Sequence, residues 1–153
     1  MIRPARYEDL LKIEKLVFEF HEESLKEYLS FDSKTIRQTI LDYIDKYIML
    51  VDDELTGVIA GIVAPSVFDS KDIIAQESIW YISKTQRKGR LWIELLTAFE
   101  DKARELKATK IIMIHMDNLN GNLMEKLYTH RGYKRLEWNF IRDIKEVANE
   151  SLA

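Results

Sequence analysis

Apolar positions along this chain recur with two periods, and the change from one to the other comes near residue 47. Between residues 7 and 27, Leu10, Ile13, Leu16, Val17 and Phe20 recur three or four apart, which predicts an amphipathic helix. Glu8 and Asp9 in its first turn complement the positive end of the helix dipole. Residues 33–45 predict a second helix, with Ile36, Ile40, Leu41 and Ile44 on one stripe. Ahead of both, residues 2–5 read as a short strand stopped by Pro4.

Beyond residue 47 the period shortens to two. Residues 47–51 and 55–64 read as strands joined by the acidic turn Asp52-Asp53-Glu54, and residues 73–83 as a longer one rich in β-branched and aromatic side chains. Helical spacing returns over residues 89–107, where Leu91, Leu95, Leu96, Phe99, Ala103 and Leu106 form one apolar face. Residues 110–116 are almost continuously apolar, the mark of a strand covered on both faces. Strand, helix and strand in that order predict a parallel pair with a right-handed crossover. Asn122 and Glu125 have capping-box spacing for a short helix ending near Arg131-Gly132. Residues 133–143 then supply one or two closing strands, and a polar tail begins at Lys145. The expected fold class is α/β: a mixed, mostly antiparallel twisted sheet with a central parallel βαβ unit and about four flanking helices. No repeat, linker or low-complexity stretch interrupts it, so one domain is expected over residues 1–153.

Composition narrows the chemistry. Hydrophobic residues make up 46% and charged residues 32%, the balance of a folded globular chain. With 23 basic and 26 acidic residues the formal charge is −3, which argues against a nucleic-acid partner. There is no cysteine, which excludes disulfides, thiolate metal sites and a cysteine nucleophile. His21, His115 and His130 show no metal-ligand spacing, so no metal is expected. Residues 57–65, the best apolar run, are only strand-sized, and residues 1–4 lack signal-peptide features. A cytoplasmic protein with no membrane association is the expectation.

One local feature breaks the rules. Three of the helices start with Asp9, Ser33 or Asn122 and acids in or near the first turn. The helix over residues 89–107 opens instead on Gln86-Arg87-Lys88-Gly89-Arg90, with three cations and no acid before Glu94. A helix start is already electropositive, so each cation there is unfavourable by roughly some tenths of a kcal/mol. A solvated basic loop is one reading. An anion is the other: Gly89 lets the backbone come close, and the free amides point at whatever binds. The cluster follows a strand within a βαβ unit, where open α/β sheets bind ligands. It is neither a Walker loop nor a dinucleotide fingerprint.

At this point the chain resembles the GCN5-related N-acetyltransferase family. Gln86-Arg87-Lys88-Gly89-Arg90-Leu91 is similar to that family's Arg/Gln-x-x-Gly-x-Gly/Ala phosphate loop, with Leu91 departing at the last position. The Ile-Arg-Pro opening, two helices, three-strand meander, βαβ unit and the closing run from Leu127 to Tyr133 follow the family order. The resemblance implies that acetyl-CoA is the co-substrate and an amine, small or on a protein, the acceptor, attacking directly in a ternary complex. It implies that backbone groups of Ile82 and Ser83 pair with the pantetheine arm. It also implies that Gln86 and the amides of Arg87, Lys88, Gly89, Arg90 and Leu91 hold the pyrophosphate, while the strands over residues 73–83 and 110–116 splay apart. The family's cofactor-side asparagine is Asn118, Asn120 or Asn122. Pairing of two copies through late strands is one expected assembly.

For the chemistry, the resemblance implies that Tyr128 lies near the cofactor sulfur as a hydrogen-bond donor to the leaving thiolate; a packing tyrosine is the plain alternative. Glu77 is the candidate base, directly or through water, against an ordinary strand carboxylate. His115 reads first as a core histidine and second as catalytic. His21, Glu22 and Glu23 end the first helix, where they would attract a cationic amine or simply form an acidic face. Trp80, Tyr81 and Trp92 line a pocket or fill the core. Residues 65–72 lie near the groove. The rival function is a catalytically weak CoA-binding sensor or protein-interaction module of the same fold. A nucleic-acid or bulky-conjugate acyltransferase is the third option, with the basic cluster touching substrate phosphates.

Overall fold

The structure, a computed structural model, describes residues 1–115 and 121–144. The chain divides into two compact units, Met1–Met116 and Asp117–Ala153. In the first, five strands lie in sequence order: β1 (Ile2–Pro4), β2 (Ile48–Asp52), β3 (Gly57–Pro65), β4 (Ile73–Ile82) and β5 (Lys110–Ile112). The first four pair antiparallel and β4 pairs parallel with β5, giving the mixed sheet and the βαβ unit expected from the pattern. Three helices accompany them: α1 (Leu10–Ser24), α2 (Ser33–Lys46) and α3 (Leu91–Glu105).

The helices sort onto two faces. Adjacent strand residues point to opposite sides: Tyr81 meets Phe20 of α1, and Trp80 meets Trp92 of α3. α1 and α2 therefore cover one face and α3 the other. Ile13, Leu16, Val17, Phe20 and Ile40 are buried under the first layer, and Leu95, Leu96, Phe99 and Ala103 under the second. Burying each Leu or Ile contributes roughly 1.5–3 kcal/mol. Leu106, counted on the α3 stripe, is exposed because it lies past the last helical turn.

β4 carries an irregularity that sets up the site. Ala60 pairs with Ile79 and Gly61 with Glu77, so Ser78 is an extra residue in β4. Such a bulge bends its strand and turns it locally. Gly61 makes this packing feasible: a Cβ there would lie 2.5 Å from the Gln76 carbonyl oxygen and 2.7 Å from the Phe99 ring. Ser78 turns toward α2, where its hydroxyl shares a 2.8 Å hydrogen bond with Tyr43. Glu77, paired with Gly61, lies on the α3 face.

Several expectations need correction. The cap of α2 is Asp32, which accepts the Thr35 amide at 2.8 Å, and Ser33 is already helical. The chain ahead of α1 forms a 3-10 turn, Tyr7–Asp9, because Asp9 accepts the Arg6 amide and pairs with Arg3. β5 spans three residues, not seven. Beyond Ile112 the parallel ladder ends, so apolar composition alone does not extend it, and His115 is exposed, not a core histidine.

In the second unit, α4 (Gly121–His130) ends in a left-handed Gly132. There the Tyr133 amide bonds back to the Tyr128 carbonyl at 2.9 Å. That is a Schellman closure, which needs a residue tolerant of positive φ. Asn122 lies inside the first turn as a helical residue, so it is not the cap. Residues 133–143 form no strand among the described residues: their alternation suits one, but a strand exists only where a neighbour takes its backbone bonds. Asn118, Asn120 and the expected tail from Lys145 lie outside the described residues.

Candidate active site

The site begins where β4 and β5 part. Their pairing runs Ile74 with Lys110, Ala75 with Ile111 and Gln76 with Ile112, then stops. β4 continues for six more residues to Ile82 without a parallel partner, which leaves a fork beyond Gln76. Glu77 lies at its closed end. Its carboxylate accepts the Ile114 amide at 3.1 Å, and only 5% of the residue is exposed. Burial pushes this carboxyl up to about 8, only partly offset by the Ile114 hydrogen bond. At neutral pH Glu77 is therefore mostly protonated.

At the open end, β4 leads through Ser83 into a 3-10 turn, Lys84–Gln86, and then into α3. The Ser83 amide donates to the Thr56 carbonyl and the Gln86 amide to the Ser83 carbonyl, both at 2.9 Å. The Ile82 carbonyl accepts Nε of Arg87 at 2.9 Å. The Ser83 N–H is thus already donated to Thr56, whereas the Ile82 carbonyl keeps a second lone pair open to a further donor.

α3 starts at Leu91, two residues later than the expected Gly89, and its start has no acidic cap. Arg90 occupies the cap position and makes no side-chain cap hydrogen bond. The first intrahelical bond runs from the Glu94 amide to the Arg90 carbonyl, so the amides of the opening turn have no carbonyl within the helix. Lys88, Gly89 and Arg90 are exposed, and a Cβ on Gly89 would meet nothing within 4 Å. Gly89 is not at positive φ either. Nothing in the folded chain demands glycine at this position, so the open space is available to a ligand that comes close to the backbone. Leu91 packs inward: a Cβ on Gly57 would lie 3.1 Å from its methyl. An open hollow of about 300 Å³ beside this loop is lined by Gln86, Lys88, Gly89 and Arg90 on the loop side and by the carboxylate residues Asp52, Glu54 and Glu94 around it. A donor set of uncapped amides with lysine and arginine suits a diphosphate.

The remaining candidates divide clearly. Trp80 and Tyr81 are core residues and Trp92 is half-buried, so the aromatic trio packs chiefly inside. His21 is buried, with Nε2 bonded to the Leu29 carbonyl. Glu22 is exposed. Glu23, expected either to attract a cationic amine or to form part of an acidic face, accepts hydrogen bonds from Tyr81 and Arg87. Those bonds hold its carboxyl below the ordinary range although burial alone would raise it. The sequence carried no signal for this, since 58 and 64 residues separate the partners. In the second unit Tyr128 contacts Tyr133, with ring centres 5.4 Å apart, and Asn122 is exposed. Among the described residues no His, Asp and Glu group is arranged to hold a metal, and no helix is long and apolar enough to cross a membrane.

No protein-family model and no curated protein sequence matches the chain. Solved structures do. A ribosomal-protein-alanine N-acetyltransferase from Brucella melitensis biovar Abortus is similar with a TM-score of 0.73 at 16% identity, over 94% of this chain and 98% of that one. A Trypanosoma brucei acetyltransferase gives 0.70 at 12% identity, covering 94% and 99%. A glucosamine-6-phosphate N-acetyltransferase from Arabidopsis thaliana gives 0.69 at 9% identity, covering 94% and 97%. At these identities the likeness concerns the path of the chain. The forked mixed sheet, with its basic loop leading into α3, has the fold of the GCN5-related N-acetyltransferases.

Proposed function

We propose that this protein transfers an acetyl group from acetyl-CoA to an amine by direct attack in a ternary complex. The start of α3 carries the reading: an uncapped helix end, exposed Lys88 and Arg90, and a glycine whose open side no protein atom uses. Helix dipole, free amides and cations all favour an anion there. The amides of Arg87, Lys88, Gly89, Arg90 and Leu91, with Gln86 at the loop's start, would hold the coenzyme diphosphate. Ile82 and Ser83 would line the arm, and Asn122 is a further binding candidate.

Bound acetyl-CoA supplies an acetyl group already activated as a thioester. The chain's own residues handle the protons. On this reading Tyr128 would donate its phenolic hydrogen to the sulfur that leaves. A phenol near pKa 10 is a weaker acid than a thiol near 8.5, so full proton transfer is uphill by about 2 kcal/mol, and hydrogen-bond donation is its main contribution. Glu77, once ionised, takes a proton from the amine; because it is buried, that proton travels through water in the fork. The similar structures named for a ribosomal-protein alanine and for a sugar amine differ in acceptor, so the fold leaves the acceptor to loops such as residues 65–72.

The test is a thermal-shift titration with acetyl-CoA followed by thiol release across a panel of amines. Stabilisation with release from at least one amine supports the proposal. Stabilisation with none supports the CoA-binding module, and no stabilisation at millimolar acetyl-CoA overturns both.

A further inference from the structure

Arg87 behaves unlike the cations around it. Lys88 and Arg90 are exposed, and so is Lys84, whose ammonium lies 4.0 Å from Glu23, whereas the Arg87 side chain turns back onto Glu23 of α1 with direct hydrogen bonds. Its Nε donates to the Ile82 carbonyl at 2.9 Å, and one terminal nitrogen lies 3.0 and 2.9 Å from the two carboxylate oxygens of Glu23. Its guanidinium carbon sits 5.2 Å from the centre of the Tyr81 ring. Glu23 also accepts the Tyr81 hydroxyl at 2.6 Å. The two charged side chains are 29% and 14% exposed, so water screens them only in part. Four contacts thus tie the last turn of α1, the end of β4 and the loop before α3 into one cluster.

A guanidinium held in this way cannot turn toward an anion without leaving the largely buried Glu23 carboxylate with only the Tyr81 hydroxyl and the exposed Lys84 ammonium at 4.0 Å, which is unfavourable. We propose that Glu23 and Arg87 form a strut that positions the loop over residues 83–90, and that the Arg87 side chain does not contact the coenzyme. The inference rests on the acetyl-CoA reading above and names positioning residues for that same site. Arg87 closes the loop onto Ile82 while Ser83 closes it onto Thr56, so the amides that follow are fixed before any ligand arrives. A seat fixed in advance binds more tightly because less order is lost on binding. Lys88 and Arg90 supply the charge.

The two possible roles of Arg87 predict opposite signs for one substitution. Glu23→Gln keeps an acceptor for Tyr81 and releases the Arg87 charge. If Arg87 is a strut, CoA binding weakens about tenfold. If Arg87 is a phosphate ligand, binding stays the same or tightens. Titration calorimetry with CoA is measured on wild type, Glu23→Gln, Arg87→Met, Arg87→Lys and the Glu23→Gln/Arg87→Met double variant, with hydrogen exchange on the ligand-free proteins. Support requires four results: exchange of the hydrogen-bonded Ser83, Gln86 and Glu94 amides at least tenfold faster in Glu23→Gln and in Arg87→Met; a double variant no worse than Arg87→Met; Arg87→Lys failing to restore affinity; and a raised KM for acetyl-CoA with kcat at saturation within twofold. Unchanged exchange, unweakened binding in Glu23→Gln, full rescue by lysine, or a loss confined to the amine KM overturns the strut. If wild type binds no CoA, the acetyltransferase reading fails, while the exchange arm still decides whether the strut holds the loop.

Discussion

The Glu77 carboxylate of β4 accepts the Ile114 amide at 3.1 Å, bridging two strands just beyond the last pair that joins them, Gln76 with Ile112. A side chain here substitutes for a lost ladder bond. It also places a protonatable group at the closed end of the fork, on the face of the sheet covered by α3. The same burial that makes Glu77 a structural bridge raises its pKa, so its roles in stability and in proton transfer are linked.

The first prediction follows from that link. Glu77 titrates near 4.5 when unfolded and at about 8 when folded. Between these values the native state binds the extra proton, so this group's contribution is fully present below about pH 4.5 and is lost as pH rises through about 8. Glu77→Gln keeps a neutral side chain at all pH values, so its stability relative to wild type should improve from pH 6 to pH 9 in urea unfolding. If Glu77 is the base, wild-type kcat/KM rises through about pH 8, and the variant loses the rise and roughly a hundredfold in rate. An unchanged pH–rate profile would leave Glu77 with its structural role alone.

Gly89 separates folding from binding. A Cβ there meets no protein atom, so Gly89→Ala should leave stability unchanged or raise it by up to about 1 kcal/mol through reduced freedom of the unfolded chain. On the proposed function a coenzyme diphosphate approaches the backbone at Gly89, so the added methyl should lower CoA affinity by about tenfold. Melting temperature and calorimetry on one preparation check both parts; a variant that binds CoA as wild type does counts against the loop as the anion seat.

Gly61 should behave in the opposite way. Its added Cβ would meet a backbone oxygen at 2.5 Å and the Phe99 ring at 2.7 Å. The ring can give way, but the Gln76 carbonyl is held within the strand. Gly61→Ala should therefore destabilise by about 1–3 kcal/mol, read as a lower urea midpoint. A midpoint within error of wild type would show that the bulge relaxes freely.

Tyr128→Phe removes one hydroxyl and keeps the ring that meets Tyr133. Turnover should fall by roughly tenfold or more while acetyl-CoA binding stays within about twofold, the pattern of an interaction made mainly as the thiolate forms. Equal turnover in the two proteins would remove Tyr128 from the chemistry.

Much of this was legible along the chain because the information was local. The stripes of α1, α2 and α3, the meander of β2 to β4 and the parallel crossover all follow from spacings within one element or between neighbours. So does the uncapped, cationic start of α3, where the conflict between charge and helix dipole lies within five residues. Other features depended on partners distant in sequence. The length of β5 is set by where β4 bends away, not by the apolar run over residues 110–116. Glu23 pairs with Arg87 and Tyr81 only because α1 packs over the end of β4.

The sequence by itself determined the helices α1 to α3 and the strands β1 to β4, their order, and the place where a helix end is left open to an anion, because periodicity and charge act over a few residues. Tertiary structure decided which of the nearby charges are free. It turned Arg87 inward onto Glu23, left Lys88 and Arg90 outside, and buried the Glu77 carboxyl, which raises its pKa. The reason is desolvation. A charge behaves according to the water and partners around it, and only the packed chain fixes those.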